Sequence, residues 1–331
     1  MKYRSIIVTQ RGGPPDTLKV VENELRAPKG KEARIRIQAT PVCQDDVAKR
    51  IGNRPFLPKI PFTPGYSILG VIDALGEAVE NFSVGDRVAA LTTYGGYSEY
   101  IYVEEEELVA VPESLDAGEA VTLMLNYLVA YQILHRVTNV KPGDKCLIIG
   151  ASGGVGTALL QMGKLAGLRM YGTASKKKHG VLIQYGVTPI DYRTQDFVEE
   201  LQHAEPMGVD YVFNGMDRDY NKPGMIVLKP EGTLVQYGAP ESMPNLIRLL
   251  IDLTVNKLFS RGKTLELYGT HRVGIEPRKE DWNKLFTLLE ERKIKPVISE
   301  RFDLFEAAKA NELLENGKVA GNIVLLTEIM D

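Results

Sequence analysis

Short runs in which apolar and polar residues alternate, broken by Gly and Pro, occupy the first 120 or so positions of the chain. Residues 33–39 (ARIRIQA) and 97–103 (YSEYIYV) carry this alternation, and a period of two predicts half-buried strands. From Pro142 the pattern changes. An apolar strand over 146–149 runs into a glycine-rich turn, a helical stretch over 155–166 and a second strand over 169–173, which together make a βαβ unit. Short apolar strands recur at 210–213, 233–237 and 265–268, spaced by helix-length segments. That succession predicts an α/β fold built on a doubly wound parallel sheet. From about residue 270 two helical stretches (279–292 and 304–316) and a last strand (322–326) leave the pattern and are expected to return to the first domain.

Two apolar helices bear on the chain's surroundings. Residues 120–134 (AVTLMLNYLVAYQIL) are uncharged, but a bilayer span needs about twenty residues, so a buried helix is expected. In residues 245–259 (NLIRLLIDLTVNKLF) the polar Arg248, Asp252 and Asn256 recur every four positions, a narrow polar stripe on an otherwise apolar helix. The expectation is a helix packed against the sheet and the neighbouring domain, with a membrane or partner face as the alternative. The N-terminal apolar run is three residues (IIV), too short for the core of a signal peptide.

The composition narrows the partners. The 331 residues hold 40 Lys+Arg against 43 Asp+Glu, so no global positive field draws nucleic acid or an anionic membrane, and a small-molecule partner is expected. Cys43 and Cys146 form neither a disulfide framework nor the paired spacing of a structural zinc site, which fits a reducing, cytoplasmic location.

The candidate chemistry begins at Gly150-Ala151-Ser152-Gly153-Gly154-Val155-Gly156, between a predicted strand and a predicted helix. Glycines there permit a tight turn, close approach of backbone to a pyrophosphate, and close helix–strand packing; the helix N-terminus supplies N–H donors. A site for NAD usually carries an acidic residue about twenty positions on. This chain reads Thr173-Ala-Ser175-Lys176-Lys177-Lys178-His179 instead, a hydroxyl and three cations suited to a 2′-phosphate, hence NADPH. The alternative is a solvated basic start to the next helix.

The run from Asn126 (NYLVAYQILHRVTNVKPGDKCLIIGASGGVGTALLQMGKLAGLRMYGTAS), with GGYSEYIYVEEEELVAVPESL and PFTPGYSILGVIDALGEAVENFSVGDRVAAL before it and GKVAGNIVLL at the end, resembles the medium-chain dehydrogenase/reductases. The similarity is to their zinc-free quinone oxidoreductase (zeta-crystallin-like) branch. It implies a GroES-like substrate domain over 1–123 and 267–331, a Rossmann domain over 124–266, an active site in the cleft between them, and a homodimer. By the same resemblance Ser175, Lys178 and Tyr192 match the holders of the 2′-phosphate, and Asn126 lies in the motif beside the nicotinamide. Asn214, Gly238 and Asn322 fall where strand ends supply the remaining cofactor contacts.

Zinc-dependent relatives carry a cysteine, then Gly-His-Glu. Cys43 stands at the first position, but the second reads Gly65-Tyr66-Ser67, and no Cys or His occurs from Gln44 through Leu134. One thiolate would hold the metal almost alone, so no metal is expected. Without a Lewis acid, alcohol oxidation loses its means of stabilising an alkoxide. Reduction of a quinone or conjugated alkene remains feasible, with hydrogen-bond donors stabilising charge on the conjugated oxygen. Candidate donors are Tyr94, Tyr66 and Arg54. Arg54 stands where the family often has a tyrosine, and it also suits an anionic substrate; packing roles for the tyrosines and surface exposure for Arg54 stay open. An NADPH-dependent quinone or enone reductase is the leading reading. An enoyl-thioester reductase and a non-catalytic NADPH-binding protein are the alternatives.

Overall fold

The computed structural model describes residues 1–259 and 262–327. The chain forms two compact units. One comprises Met1–Asn53, Leu57–Leu128 and the chain from Gly274 onward; the other comprises Arg54–Phe56 and Val129–Val273. The divisions anticipated at 123/124 and 266/267 lie a few residues ahead of these joins, and residues 328–331 of the anticipated first domain lie outside the described residues.

The first unit is β-rich. Its seven-stranded sheet runs in the order Ile298–Asp303, Asn322–Leu326, Glu32–Val42, Ile68–Leu75, Arg87–Ala90, Val109–Ala110, with Tyr100–Glu104 also on Glu32–Val42. Only the first of these pairs is parallel. The alternation seen at 33–39 does what a period of two requires: Ala33, Ile35 and Ile37 turn inward with Ile68, Ile72 and Val88 to form a core. The strand expected at 97–103 begins at Tyr100 instead. Its first residues serve the N-terminal strand, where Ile6 N–H donates to Tyr97 O at 2.8 Å and Ser5 bridges Ser98.

Two helices of this unit bear on the site. Gln44–Ile51 is capped by Cys43 and ends on Gly52 at φ +100°, a conformation that glycine adopts without strain. Ala117–Thr122, capped by Asp116, continues through a π-turn at Leu123–Tyr127, so the expected buried helix is present with an irregular centre. Such π-turns recur at functional sites because they re-aim a side chain; here the turn carries Asn126. The helix expected at 279–292 starts earlier, at Ile275 behind Gly274, with Pro277 in its first turn, where a missing N–H costs nothing.

The second unit has a six-stranded, wholly parallel sheet in the order Thr188–Asp191, Arg169–Ala174, Lys145–Ile149, Val209–Asn214, Leu228–Gln236, Thr264–Leu267. Numbered along the chain this is 3-2-1-4-5-6, the doubly wound order, and direction reverses between Lys145–Ile149 and Val209–Asn214. The carboxyl ends of those two strands meet where Gly215 N–H donates to Ile149 O at 3.2 Å. A dinucleotide fold binds its ligand at that switch point.

One helix departs from expectation in part. Met243–Phe259 buries only Leu249, and its inward side uses polar residues: Asp252 accepts from Arg218, and Asn256 both donates to Lys263 O and accepts from Leu265 N–H. The apolar Ile247, Leu250, Ile251, Val255, Leu258 and Phe259 face outward, with Phe259 74% exposed. Leu253 joins Leu249 on the inner side, packed against the sheet's core, so the expected packing on the sheet is present; Asp252 and Asn256 of the polar stripe share that side, Arg248 is exposed, and a broad apolar face is left outside. Among the described residues no helix is long and apolar enough to cross a membrane.

Candidate active site

The glycine turn is held from both sides. Gly150, at φ +83°, donates its N–H to Thr173 Oγ1 at 3.0 Å, and Ala151 N–H donates to Thr173 O at 3.1 Å. A Cβ on Gly156 would lie 2.4 Å from Gly150 O, so helix Gly154–Leu165 meets the strand end at a distance only glycine allows. Gly153 caps the helix with no side chain of its own. The nearest atom to a Cβ there is Gly150 O at 3.6 Å, which leaves the N-terminus open. Ser152 and Val155 are half-buried beside it. An exposed helix N-terminus with free approach fits a pyrophosphate.

At the end of the next strand, Ser175 is buried and precedes a short turn, Lys176–Lys178. Lys176 and Lys177 are exposed, whereas Lys178 is half-buried. Burial, and then the positive charge of Arg193, hold the Lys178 ammonium below the ordinary lysine range. Tyr192 is 53% exposed, and the Arg193 guanidinium lies 5.8 Å from its ring centroid. Among the described residues neither the Lys178 ammonium nor the Arg193 guanidinium forms an ion pair with a carboxylate, while the Arg193 backbone N–H donates to Asp191 Oδ1 at 3.2 Å. Two cations at neighbouring strand ends, neither neutralised by an ion pair, suit a multiply charged anion. Ser175, Lys178 and Tyr192 are the residues the sequence singled out here; Arg193 was not among them, since one Arg after a strand has no signature.

The strand-end residues divide. The side chain of Asn214 is wholly engaged within its loop: Nδ2 donates to Asp217 O and Asn221 Oδ1, and Oδ1 accepts from Met216 N–H. It shapes the loop, and its carbonyl is engaged as well, accepting from the Tyr237 and Gly238 N–H groups at 2.9 and 3.2 Å. Gly238 is required by packing, because a Cβ would sit 2.2 Å from Met216 O. In the first unit Asn126 Nδ2 donates to Asn322 Oδ1 at 2.5 Å, and Asn322 Nδ2 donates to Val297 O at 3.0 Å. The structure thus joins two predicted residues that lie far apart in sequence.

The tyrosines are also joined. Thr92 and Thr93 N–H both donate to Tyr66 O, at 2.9 and 3.0 Å, and Gly96 N–H donates to Gly65 O. A Cβ on Gly65, at φ +106°, would lie 2.4 Å from Gly96 Cα, so the loops carrying Tyr66 and Tyr94 press backbone to backbone. Helix Gln44–Ile51 anchors both. Asp46 Oδ1 accepts from Gly65 N–H at 2.9 Å, while the Lys49 ammonium sits 4.8 Å from the Tyr66 ring centroid and 4.1 Å from that of Tyr94. Tyr94 is 37% exposed. Arg54 is half-buried and groups with the second unit, apart from the unit that holds the tyrosines. Lys49 escaped the sequence reading because nothing local ties a helix lysine to tyrosines on distant loops.

A metal does not fit these residues. The Cys43 thiol is buried and donates to Asp46 Oδ2 at 3.0 Å. Burial, reinforced by Asp46 and Asp45, pushes that thiol well up, away from the thiolate a zinc ion needs. Tyr66 and Ser67 stand at the second ligand position, and among the described residues no three His, Cys, Asp or Glu side chains form a metal-holding group.

A GroES-like sheet unit together with a doubly wound nucleotide unit defines a dehydrogenase/reductase. The alcohol dehydrogenase GroES-like domain matches residues 29–113, and the zinc-binding dehydrogenase family matches 186–325. The synaptic vesicle membrane protein VAT-1 homolog of Danio rerio is 32% identical over 342 residues, covering 99% of this chain and 71% of that protein. A 2-haloacrylate reductase of a Burkholderia species is 30% identical over 331 residues, covering 97% and 98%. The crystal structure of a mycobacterial protein complexed with NADPH superposes with a TM-score of 0.86 at 26% identity, covering 98% of this chain and 99% of that one. The chain belongs to the medium-chain dehydrogenase/reductase superfamily, in its zinc-free quinone oxidoreductase branch.

Proposed function

We propose that this chain is an NADPH-dependent reductase of quinones or α,β-unsaturated carbonyl compounds that works without a metal. It is an oxidoreductase, and NADPH is its cofactor. The observation that carries the reading is the paired charge of Lys178 and Arg193 at the strand end where an NAD site would carry an acid. Gly150–Gly156 and the N-terminus of helix Gly154–Leu165 would hold the pyrophosphate, Ser175, Lys178, Tyr192 and Arg193 would hold the 2′-phosphate, and Asn126, oriented by Asn322, would serve the nicotinamide end. NADPH supplies a hydride when bound. With hydride added at the β-carbon of a conjugated carbonyl, the electron pair would come to rest on the conjugated oxygen as an enolate, and a solvent proton would complete the α-carbon. Tyr94, with Tyr66 behind it, donates a hydrogen bond to that oxygen as its charge develops, the moment at which such a bond accelerates the reaction. The 2-haloacrylate reductase among the relatives supports this class, since a haloacrylate is an activated alkene.

The partner in this reading is a second copy of the chain. Six large apolar side chains on the outer face of Met243–Phe259 each expose on the order of 100 Å², together most of the ~800 Å² that each partner of a stable complex buries. The strand that follows, Thr264–Leu267, ends the sheet with one edge unpaired among the described strands. A second protein chain can satisfy that edge, whereas a lipid surface cannot.

The assay is NADPH oxidation with a naphthoquinone, a 2-alkenal and a crotonyl thioester, beside simple alcohols with NADP⁺. Turnover of the quinone or the alkenal is expected. Tight NADPH binding with none of the three reduced contradicts the proposal.

A further inference from the structure

Lys49 is the one cation of helix Gln44–Ile51 that lies against both candidate donors. Its side chain is 7% exposed, and its ammonium forms an ion pair with Asp45 Oδ2 at 2.6 Å and donates to Thr93 O at 3.2 Å. The ring centroids of Tyr94 and Tyr66 lie 4.1 and 4.8 Å away. Burying a lysine is costly unless its charge is compensated, and here Asp45 supplies the opposite charge while the Thr93 carbonyl and the faces of the two tyrosine rings surround the rest of the ammonium. Thr93 adds a second mark. It is a β-branched residue held at φ +66°, a left-handed conformation that persists only where surrounding structure enforces it. The enforcing bonds are its N–H on Tyr66 O and its carbonyl on Lys49. Tyr94 follows directly, its ring edge-on to Phe62 at 6.0 Å.

We propose that Lys49 is a positioning residue for the tyrosine pair: tethered by Asp45, it fixes the Thr93 carbonyl and the faces of both rings so that the Tyr94 hydroxyl is held ready for the substrate oxygen. The inference rests on the reading of Tyr94 as the donor. Lys49 acts through the tyrosines and does not touch substrate. A donor held in place loses its effect when its support loosens, although its chemistry is intact.

A double-mutant cycle of Lys49→Met and Tyr94→Phe tests this, with kcat, KM and NADPH affinity measured for each variant. Lys49→Met should lower kcat about tenfold or more, with KM changed much less and NADPH binding kept. In the Tyr94→Phe background the same substitution should cost under about threefold, since the two act as a unit. Lys49→Arg keeps the charge and stacks on aromatic rings, so it should recover most of kcat. Should Lys49→Met fail to fold, Asp45→Asn loosens the ammonium in place, and an unchanged kcat there overturns the proposal. Losses that multiply in the double variant also overturn it. A Tyr94→Phe variant with full kcat instead removes the donor assignment itself, and the role of Lys49 with it.

Discussion

Lys178 and Arg193 are like charges set within reach of each other, and the unliganded protein gains nothing from the arrangement. Burial and the Arg193 charge both disfavour the Lys178 ammonium, a cost that the 2′-phosphate of the proposed reading would offset. Arg193→Ala should therefore weaken NADPH binding by about tenfold or more, one charge-assisted bond being worth about 1.5 to 3 kcal/mol. NADH affinity should change little, and the thermal midpoint of the unliganded protein should stay level or rise. Titration of both cofactors and a melting curve check this; equal losses for both would mean that the phosphate lies elsewhere.

Asp46 gives a pH signature of the opposite sign to most acidic groups. Burial pushes its carboxyl up to about 6 from the ordinary 3.8, against the hydrogen bonds from Cys43 and Gly65 and with the help of Asp45; Tyr97, also buried, faces the same cluster. Between those pH values the folded chain binds more protons than the unfolded chain, so this group's contribution to stability falls as pH rises through that window and is fully lost above about 6. Relative to Asp46→Asn, the parent protein should lose about 2 to 3 kcal/mol of stability between pH 4 and pH 7. Urea unfolding of both proteins across that range measures the difference. Parallel profiles would contradict the assignment.

The outward apolar face of Met243–Phe259 predicts self-association. Light scattering should give the mass of two chains, and Ile251→Glu with Leu258→Glu should shift it to one while the far-ultraviolet dichroism is kept. A parent protein that is monomeric at micromolar concentration would remove the second copy as the partner.

What the sequence revealed, and what it hid, follows from the kind of signal each residue leaves. The nucleotide unit was legible because Gly150–Gly156 sits between a strand and a helix, and local context makes a glycine turn specific. Strand 32–42 was legible because alternation reports directly which side chains are buried. The helix at 243–259 was read in part: Leu249 and Leu253 pack on the sheet as expected, but periodicity does not show how much of the apolar face is left outside. Of its polar stripe, Asp252 and Asn256 reach Arg218, Lys263 and Leu265, partners that only the fold brings near, while Arg248 is exposed. Lys49 and Arg193 were hidden for a related reason: each acquires its meaning from residues distant in sequence, the two tyrosines in one case and Lys178 in the other. Asn214 and Gly238 show the converse, strand-end residues whose structural duties leave little side chain for a ligand.

The most direct test of the account follows the hydride itself. The protein is incubated with NADPH deuterated at the transferable position and an α,β-unsaturated ketone or aldehyde, and the product is read by nuclear magnetic resonance. The account predicts deuterium at the β-carbon, a solvent proton at the α-carbon, an intact carbonyl, and the same outcome after treatment with a strong chelator. Deuterium on the carbonyl carbon, or activity lost on chelation and restored by zinc, would contradict it.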